Sequence, residues 1–345
     1  MRQCAASALT PKHMALTMTG SWSAAPNVEL HDLKRVLERN DILAAVRRGM
    51  IDHARGLMLS PPPGQLIFSA PPGDCHIKYG MVRGGPIFVI KVAVGFFDNP
   101  ALGLPVNNGL VLAFSAETGA TVAIFRDEGW LTSWRTAAAG ALAAKAGAPP
   151  GVERLGIVGT GHQAELQALW GAGVLDVGAG AVWGRDAGKA ERLAGRLRQS
   201  GLKADVMTSL PALFDRCRVA ISCTPSAAPI ISDAMVRPGT HIVALGADSP
   251  GKVELDPQLV ARADRIATDD HAQCLDHGDF GFAVRAGFLA EDADLSFGEV
   301  LAGTVQLRRR ETDVTIIDLT GLPAQDVAIT SLACEKLGLL SLPNT

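Results

Sequence analysis

Aromatic residues are scarce in this chain of 345 residues: they make up 5%, with a single tyrosine. A protein that binds nucleic acid by stacking its bases needs aromatic platforms along a basic groove. This chain offers neither, since its net charge is -3 and charged residues reach only 19%. Nucleic acid and anionic membrane surfaces are therefore not expected partners. The six cysteines (Cys4, Cys75, Cys217, Cys223, Cys274, Cys334) form no C-x-x-C pair. Their scatter argues against a metal site and a disulfide scaffold, and for a reducing, cytoplasmic setting. No apolar run approaches the roughly 20 residues of a membrane span. Residues 1–27 are small, polar and patternless, without the basic start and apolar block of a signal peptide. They read as a disordered N-terminus.

What is abundant is apolar: 48% of the chain, enough for about two domains and a large core. Near the middle runs Leu155-Gly156-Ile157-Val158-Gly159-Thr160-Gly161-His162-Gln163-Ala164. Apolar residues lead in, Gly159, Gly161 and Ala164 follow a G-x-G-x-x-A pattern, and a helical stretch comes after. That order of strand, tight turn and helix suits a dinucleotide, whose pyrophosphate needs close backbone approach and a helix N-terminus. The βα rhythm then repeats. Ala181 to Gly184 is a second strand, and Arg185-Asp186 stands where a fold of this kind meets the adenosine ribose. Arg185 favours a 2′-phosphate, so the reading leans toward NADP(H) over NAD(H), with Asp186 as the acidic alternative. Thr224 and Pro225 follow a further strand at the same edge. Asp248 lies in the loop after the strand His241 to Gly246, a position where the ligand crevice of such sheets forms. It is a candidate catalytic carboxylate, or a turn-former before Ser249-Pro250-Gly251.

Ahead of this unit the pattern differs. Leu30 to Arg55 carries helical periodicity, broken at Asn40-Asp41, with Asp41 as an N-cap. Short apolar strands follow between Leu66 and Phe125, bounded by Gly, Pro and Asn clusters, and read as an antiparallel sheet. Lys91 interrupts a strongly apolar strand and is expected to face a cleft or a carboxylate. Lys78 sits similarly after Ile77. The alanine-rich helix from Gly129 to Lys145 carries Arg135 and Thr136 near its start, where an arginine suits a carboxylate or phosphate. Phe97, Asn107 and Asn108 are placed at the pocket by loop position. Asp326, in the first turn of a last helix from Pro323, is read as a complement to the helix dipole. The fold class is α/β: a Rossmann-type doubly wound parallel sheet (150–319) inserted into an α+β substrate and dimerisation domain (28–149 plus 320–345).

Together these blocks resemble the ornithine cyclodeaminase/μ-crystallin family. The matching signatures are the strand ending in Lys91, Leu131-Thr132 through Arg135-Thr136, the turn Gly159 to Ala164, Pro238-Gly239-Thr240-His241 through Asp248 to Lys252, and Thr320-Gly321-Leu322 through Asp326. The resemblance implies a homodimer that uses NAD(H) or NADP(H) at the Cα–N bond of an amino or imino acid. It implies that Lys91 and Arg135 hold the substrate carboxylate and that Asp248 handles protons at the amino group. Thr136, Thr224 and Pro225 join Gly159, Thr160, Gly161, His162, Gln163, Ala164 and Arg185 as the expected cofactor residues. One departure stands out. Many members carry an arginine where this chain reads Pro61-Pro62-Pro63-Gly64-Gln65, and Lys78 is the expected replacement. The leading expectation is a cyclodeaminase acting on L-ornithine or a similar basic amino acid. The alternatives are an NAD(P)H-dependent ketimine reductase, an amino-acid dehydrogenase, and a non-catalytic cofactor binder.

Overall fold

The computed structural model describes residues 25–340. The expectation for residues 1–27 falls mostly outside them, and Asn27 already belongs to the first strand. The first sheet has seven strands: β1 (Asn27–Glu29), β2 (Met58–Leu59), β3 (Gly64–Ser69), β4 (Pro72–Val82), β5 (Ile87–Phe96), β6 (Asn107–Ser115) and β7 (Thr121–Arg126). Its order is β1-β7-β6-β5-β4-β2, with β3 also on β4, and every pairing except β1 with β7 is antiparallel.

The second sheet holds β8 (Arg154–Val158), β9 (Ala179–Trp183), β10 (Lys203–Val206), β11 (Val219–Ser222), β12 (His241–Ala244), β13 (Arg265–Thr268), β14 (Leu295–Ser296) and β15 (Thr315–Asp318). All its pairings are parallel, in the order β10-β9-β8-β11-β12-β15-β13-β14. The chain winds outward from β8 to β10 and then returns to β11 on the other side of β8. That reversal opens a crevice at the carboxyl ends of β8 and β11, where ligands bind in open sheets of this kind.

The helices are α1 (Leu30–Val36), α2 (Arg39–Ala54), α3 (Trp130–Gly147), α4 (His162–Leu175), α5 (Ala187–Gln199), α6 (Leu210–Arg216), α7 (Pro257–Arg262), α8 (His271–His277), α9 (Asp279–Arg285), α10 (Phe297–Ala302) and α11 (Pro323–Lys336). The break between α1 and α2 falls at Leu37 and Glu38, not at Asn40-Asp41. Leu37 leaves helical geometry while staying buried, so the core sets the break; Asp41 sits inside the first turn of α2. Helix α3 explains its own alanine content. It is buried at nearly every position from Ala137 to Ala144, and Gly140 lies so close to α4 that an added Cβ would stand 2.1 Å from the Gln167 carboxamide. Small residues let α3 press between the sheets. At the far end α11 packs on α2, α3, β4 and β5, and so carries the chain's last helix onto the first sheet.

Candidate active site

The site is built first from a cross-strand accident of register. In the antiparallel pair of β4 and β5, Lys78 stands directly opposite Lys91. Like charges facing each other across a sheet are destabilising unless something negative lies between or beside them. Arg135 from α3 adds a third cation. Asp326 from α11 meets two of the three: Lys91 Nζ lies 2.9 Å from Oδ2, and Arg135 Nε lies 3.0 Å from Oδ1. Arg135 Nη1 donates to Gln325 at 2.7 Å, and Lys78 donates to the Gly321 carbonyl at 2.6 Å. Lys78, Lys91, Arg135 and Asp326 are all buried.

These positions perturb their protonation. Burial, and next the Arg135 charge, lower the pKa of Lys78. Burial lowers Lys91 to about 7 against the pull of Asp326. Burial also pushes the Asp326 carboxyl up, but Arg135 and Lys91 outweigh it and hold it below the usual carboxylate range. Three cations thus share one adjacent carboxylate among the described residues. The cluster has room for an anion.

A cavity of about 350 Å³ lies beside this cluster, between the two sheets. Alternate residues of β4 (Asp74, His76, Lys78) face it, over a floor thinned by Ala93 and Gly95. Arg135, Thr136, Gln163, Thr224, Pro225 and Asp248 close it from the other elements, and Phe97, Asn107 and Asn108 stand at its wall as well. The structure therefore brings Lys78, Arg135 and Asp248 to one surface. Lys91 is not on that wall. It stands behind Arg135 and Asp326, 2% exposed, and faces a carboxylate as its place in an apolar strand led one to expect. Asp326, expected only to complement a helix dipole, is the counterion that lets Lys91 and Arg135 be buried at all.

Asp248 reaches the cavity from the loop after β12. Enclosure pushes its pKa up, but the Lys252 ammonium at 2.6 Å prevails and keeps it below the usual value. It is a carboxylate at neutral pH, able to accept a hydrogen bond or a proton. The loops around it are braced by Glu254, which is fully buried and whose carboxylate accepts from the Thr224 N–H and hydroxyl and from the Gly246 N–H, each at 2.7 Å. Sequence reasoning assigned no role to Glu254, which belongs to the family-matching block after Lys252, or to His76. His76 was within reach of it, because β-strand alternation puts it on the face of Lys78.

The glycine turn stands at the mouth of the same crevice. Gly159 has φ +132°, and a Cβ there would lie 3.1 Å from the Cys223 carbonyl. Gly161 begins α4 without a side-chain cap, and a Cβ there would meet nothing within 4 Å. Free N–H groups of His162, Gln163 and Ala164 facing open space make a cradle for a pyrophosphate. Thr160 packs on Gly184 at the end of β9, which places Arg185 just beyond the turn, exposed. Asp186 accepts from the Lys189 N–H at 2.8 Å and caps α5. Its Oδ1 is thereby engaged, and Arg185 has no ion-pair partner among the described residues, with the cations Lys189 and Arg192 also close by. The turn and its surroundings fit a dinucleotide.

Comparison with known proteins agrees with this geometry. An uncharacterised cyclodeaminase of Sinorhizobium fredii is 38% identical over 266 residues, covering 76% of this chain and 80% of that one. The iminosuccinate reductase of Paracoccus denitrificans is 37% identical over 258 residues, covering 75% and 79%. The crystal structure of an archaeal alanine dehydrogenase dimer with bound NAD superposes with a TM-score of 0.83 at 30% identity, covering 90% of this chain and 95% of that one. The sequence profile of one family matches residues 40–338, and this chain belongs to it: the ornithine cyclodeaminase/mu-crystallin family.

Proposed function

We propose that the protein is a nicotinamide-dependent enzyme acting at the Cα–N bond of a small amino or imino acid, in the manner of an imine reductase or amino-acid dehydrogenase. A bound nicotinamide would supply hydride to Cα, or accept it. Lys78 and Arg135 bind the substrate carboxylate, with Lys91 and Asp326 holding Arg135 in place from behind. Such seating matters because misplacement of the reacting carbon forfeits most of the rate gain. Asp248 accepts a hydrogen bond from the substrate nitrogen. In the oxidative direction it takes the proton that the ammonium must lose, and in the reductive direction it stabilises the protonated imine. Thr136, Gln163, Thr224 and Pro225 line the approach between the glycine turn and the carboxylate seat.

One observation favours this direction over a cyclodeaminase. On the cavity wall Asp248 already has a cation, Lys252 at 2.6 Å, and Asp74 has the His76 imidazole beside it at 3.5 Å. The wall's surplus charge is positive. A basic amino acid would bring a terminal ammonium to a wall where Lys78, Arg135 and Lys252 already outnumber Asp74 and Asp248. The cyclodeaminase reading draws its support from the Sinorhizobium relative and from a lysine cyclodeaminase structure that superposes with a TM-score of 0.78 at 27% identity. The experiment is a panel: L-amino acids with NAD+ and NADP+, and cyclic imino acids or α-oxo acids plus ammonium with the reduced cofactors. Both cofactor absorbance and ammonia are followed. Turnover of a small neutral or acidic substrate supports the proposal, and ammonia release from L-ornithine without net cofactor change sinks it.

Two finer points belong to the same reading. Arg185 favours NADP(H), although the archaeal relative holds NAD. The homodimer is supported by an apolar sheet face turned away from the cavity, where Leu66 (56%), Tyr79 (40%) and Leu110 (37%) are exposed. An apolar patch of this kind on a folded chain marks an interface.

A further inference from the structure

Asp269 follows β13 in the dinucleotide-type sheet and is 4% exposed, yet it has no cation within ion-pair distance among the described residues. Burying a carboxylate this way is costly unless its oxygens are hydrogen-bonded. Both are used on one loop. Oδ1 accepts from the Thr320 N–H at 3.1 Å and the Thr320 hydroxyl at 3.0 Å, and Oδ2 accepts from the Gly321 N–H at 2.8 Å. Gln273 adds a bond to the Thr320 hydroxyl at 2.8 Å and another to the Gly321 carbonyl at 3.0 Å. The held loop is the one that meets the cations. Gly321 presents its carbonyl to Lys78 at 2.6 Å. Its φ is +81°, and a Cβ on it would stand 2.9 Å from Arg135 Nη1 and 3.5 Å from Lys78 Nζ. The backbone is wedged between the two groups, so any shift of the loop moves both.

We propose that Asp269 is a positioning residue for the substrate carboxylate, acting through Thr320 and Gly321 to fix the Lys78 ammonium and the Arg135 guanidinium. It ties the seat for the substrate to the sheet that carries the glycine turn. The inference rests on the reading that Lys78 and Arg135 bind the carboxylate. Asp269 also contributes charge, being one of the carboxylates that pull the Lys78 pKa back up.

The test is Asp269→Asn, which keeps the size and turns an acceptor into a donor against the loop N–H groups. With the best substrate of the panel, KM rises by about ten- to a hundredfold, the worth of hydrogen bonds to a charged group, and kcat changes less. NADH affinity, measured by fluorescence titration, is unchanged. The alkaline limb of kcat/KM moves to lower pH, because Lys78 loses a supporting negative charge; a purely structural role would not move it. Thr320→Val removes the hydroxyl's bonds to Asp269 and Gln273 but keeps both backbone bonds to Asp269, and gives a smaller rise in KM in the same direction, which decides the matter if the Asn variant does not fold. A wild-type KM and alkaline limb in Asp269→Asn overturn the inference, as does an equal loss of NADH and substrate affinity in both variants. Lys78→Met separates the two levels. If it raises KM while Asp269→Asn does not, this inference alone fails; if it leaves KM unchanged, the carboxylate reading fails with it.

Discussion

Replacing Asp326 by asparagine should cost far more than replacing the lysine it pairs with. The side chains of Asp326 and Lys91 are 4% and 3% exposed, and Arg135 leans on the same carboxylate. Removing one member of a buried pair strands the other, typically at about 3–5 kcal/mol. Asp326→Asn strands two cations, so the upper part of that range applies. At the usual melting entropy per residue, a chain of 345 residues loses about 1.4 °C per kcal/mol, which makes the expected drop about 5–7 °C. Lys91→Met leaves Asp326 with Arg135 at 3.0 Å, and burial has already lowered Lys91 to about 7. Its loss should cost about 1 kcal/mol or less, since Asp326 is not stranded while Arg135 remains its partner. The two changes are also coupled. On the Lys91→Met background the asparagine should cost about 1–3 kcal/mol less than on the wild type. Urea unfolding at pH 7 with a four-member mutant cycle measures all three quantities. The reasoning is refuted if Lys91→Met is as damaging as Asp326→Asn, or if the two effects simply add.

Three further outcomes follow from the geometry. Gly161→Val should weaken dinucleotide binding at unchanged thermal stability, because its Cβ enters open space, whereas Gly159→Val should damage both, since φ is +132° and Cys223 stands in the way. Arg185→Ala should weaken NADPH more than NADH by titration; equal effects would remove the reason to favour NADP(H). His241 is fully buried between Ala143 and Thr315, and burial lowers it to about 4 from 6.5. The unfolded chain binds this proton more readily, so its contribution is complete above pH 6.5 and is lost as pH falls toward 4, by about 3 kcal/mol in all. A stability profile flat across that window in the wild type, or one unchanged by His241→Gln, would contradict this.

Local signals made the glycine turn and the strands around it readable. Leu155 to Val158 is continuously apolar, as a strand buried on both faces must be, and Gly159 and Gly161 mark the turn. The alanine run of α3 was equally plain, though its purpose, close packing on Gln167 and His241, needed the neighbours. Strand order was not readable. β15 inserts between β12 and β13 after a detour through α7, α8, α9 and α10, and no local pattern encodes that return. The carboxylate seat shows the same limit. Lys91 and Asp326 are 235 positions apart, so a lysine in an apolar strand could be recognised as odd while its partner could not be named. Register was within reach, since a hairpin through Arg83-Gly84-Gly85-Pro86 sets Lys78 against Lys91. Asp269 gave no signal at all, because its whole role is to hold backbone.

The central claim is net hydride exchange between a nicotinamide and the Cα–N bond of a small amino or imino acid. The direct measurement is stoichiometry: moles of cofactor oxidised or reduced per mole of substrate converted by the purified protein, with ammonia counted in the same vessel. The account predicts one cofactor per substrate, abolished together with carboxylate binding in Lys78→Met. Conversion of a diamino acid with one ammonia released and no net cofactor change would contradict it.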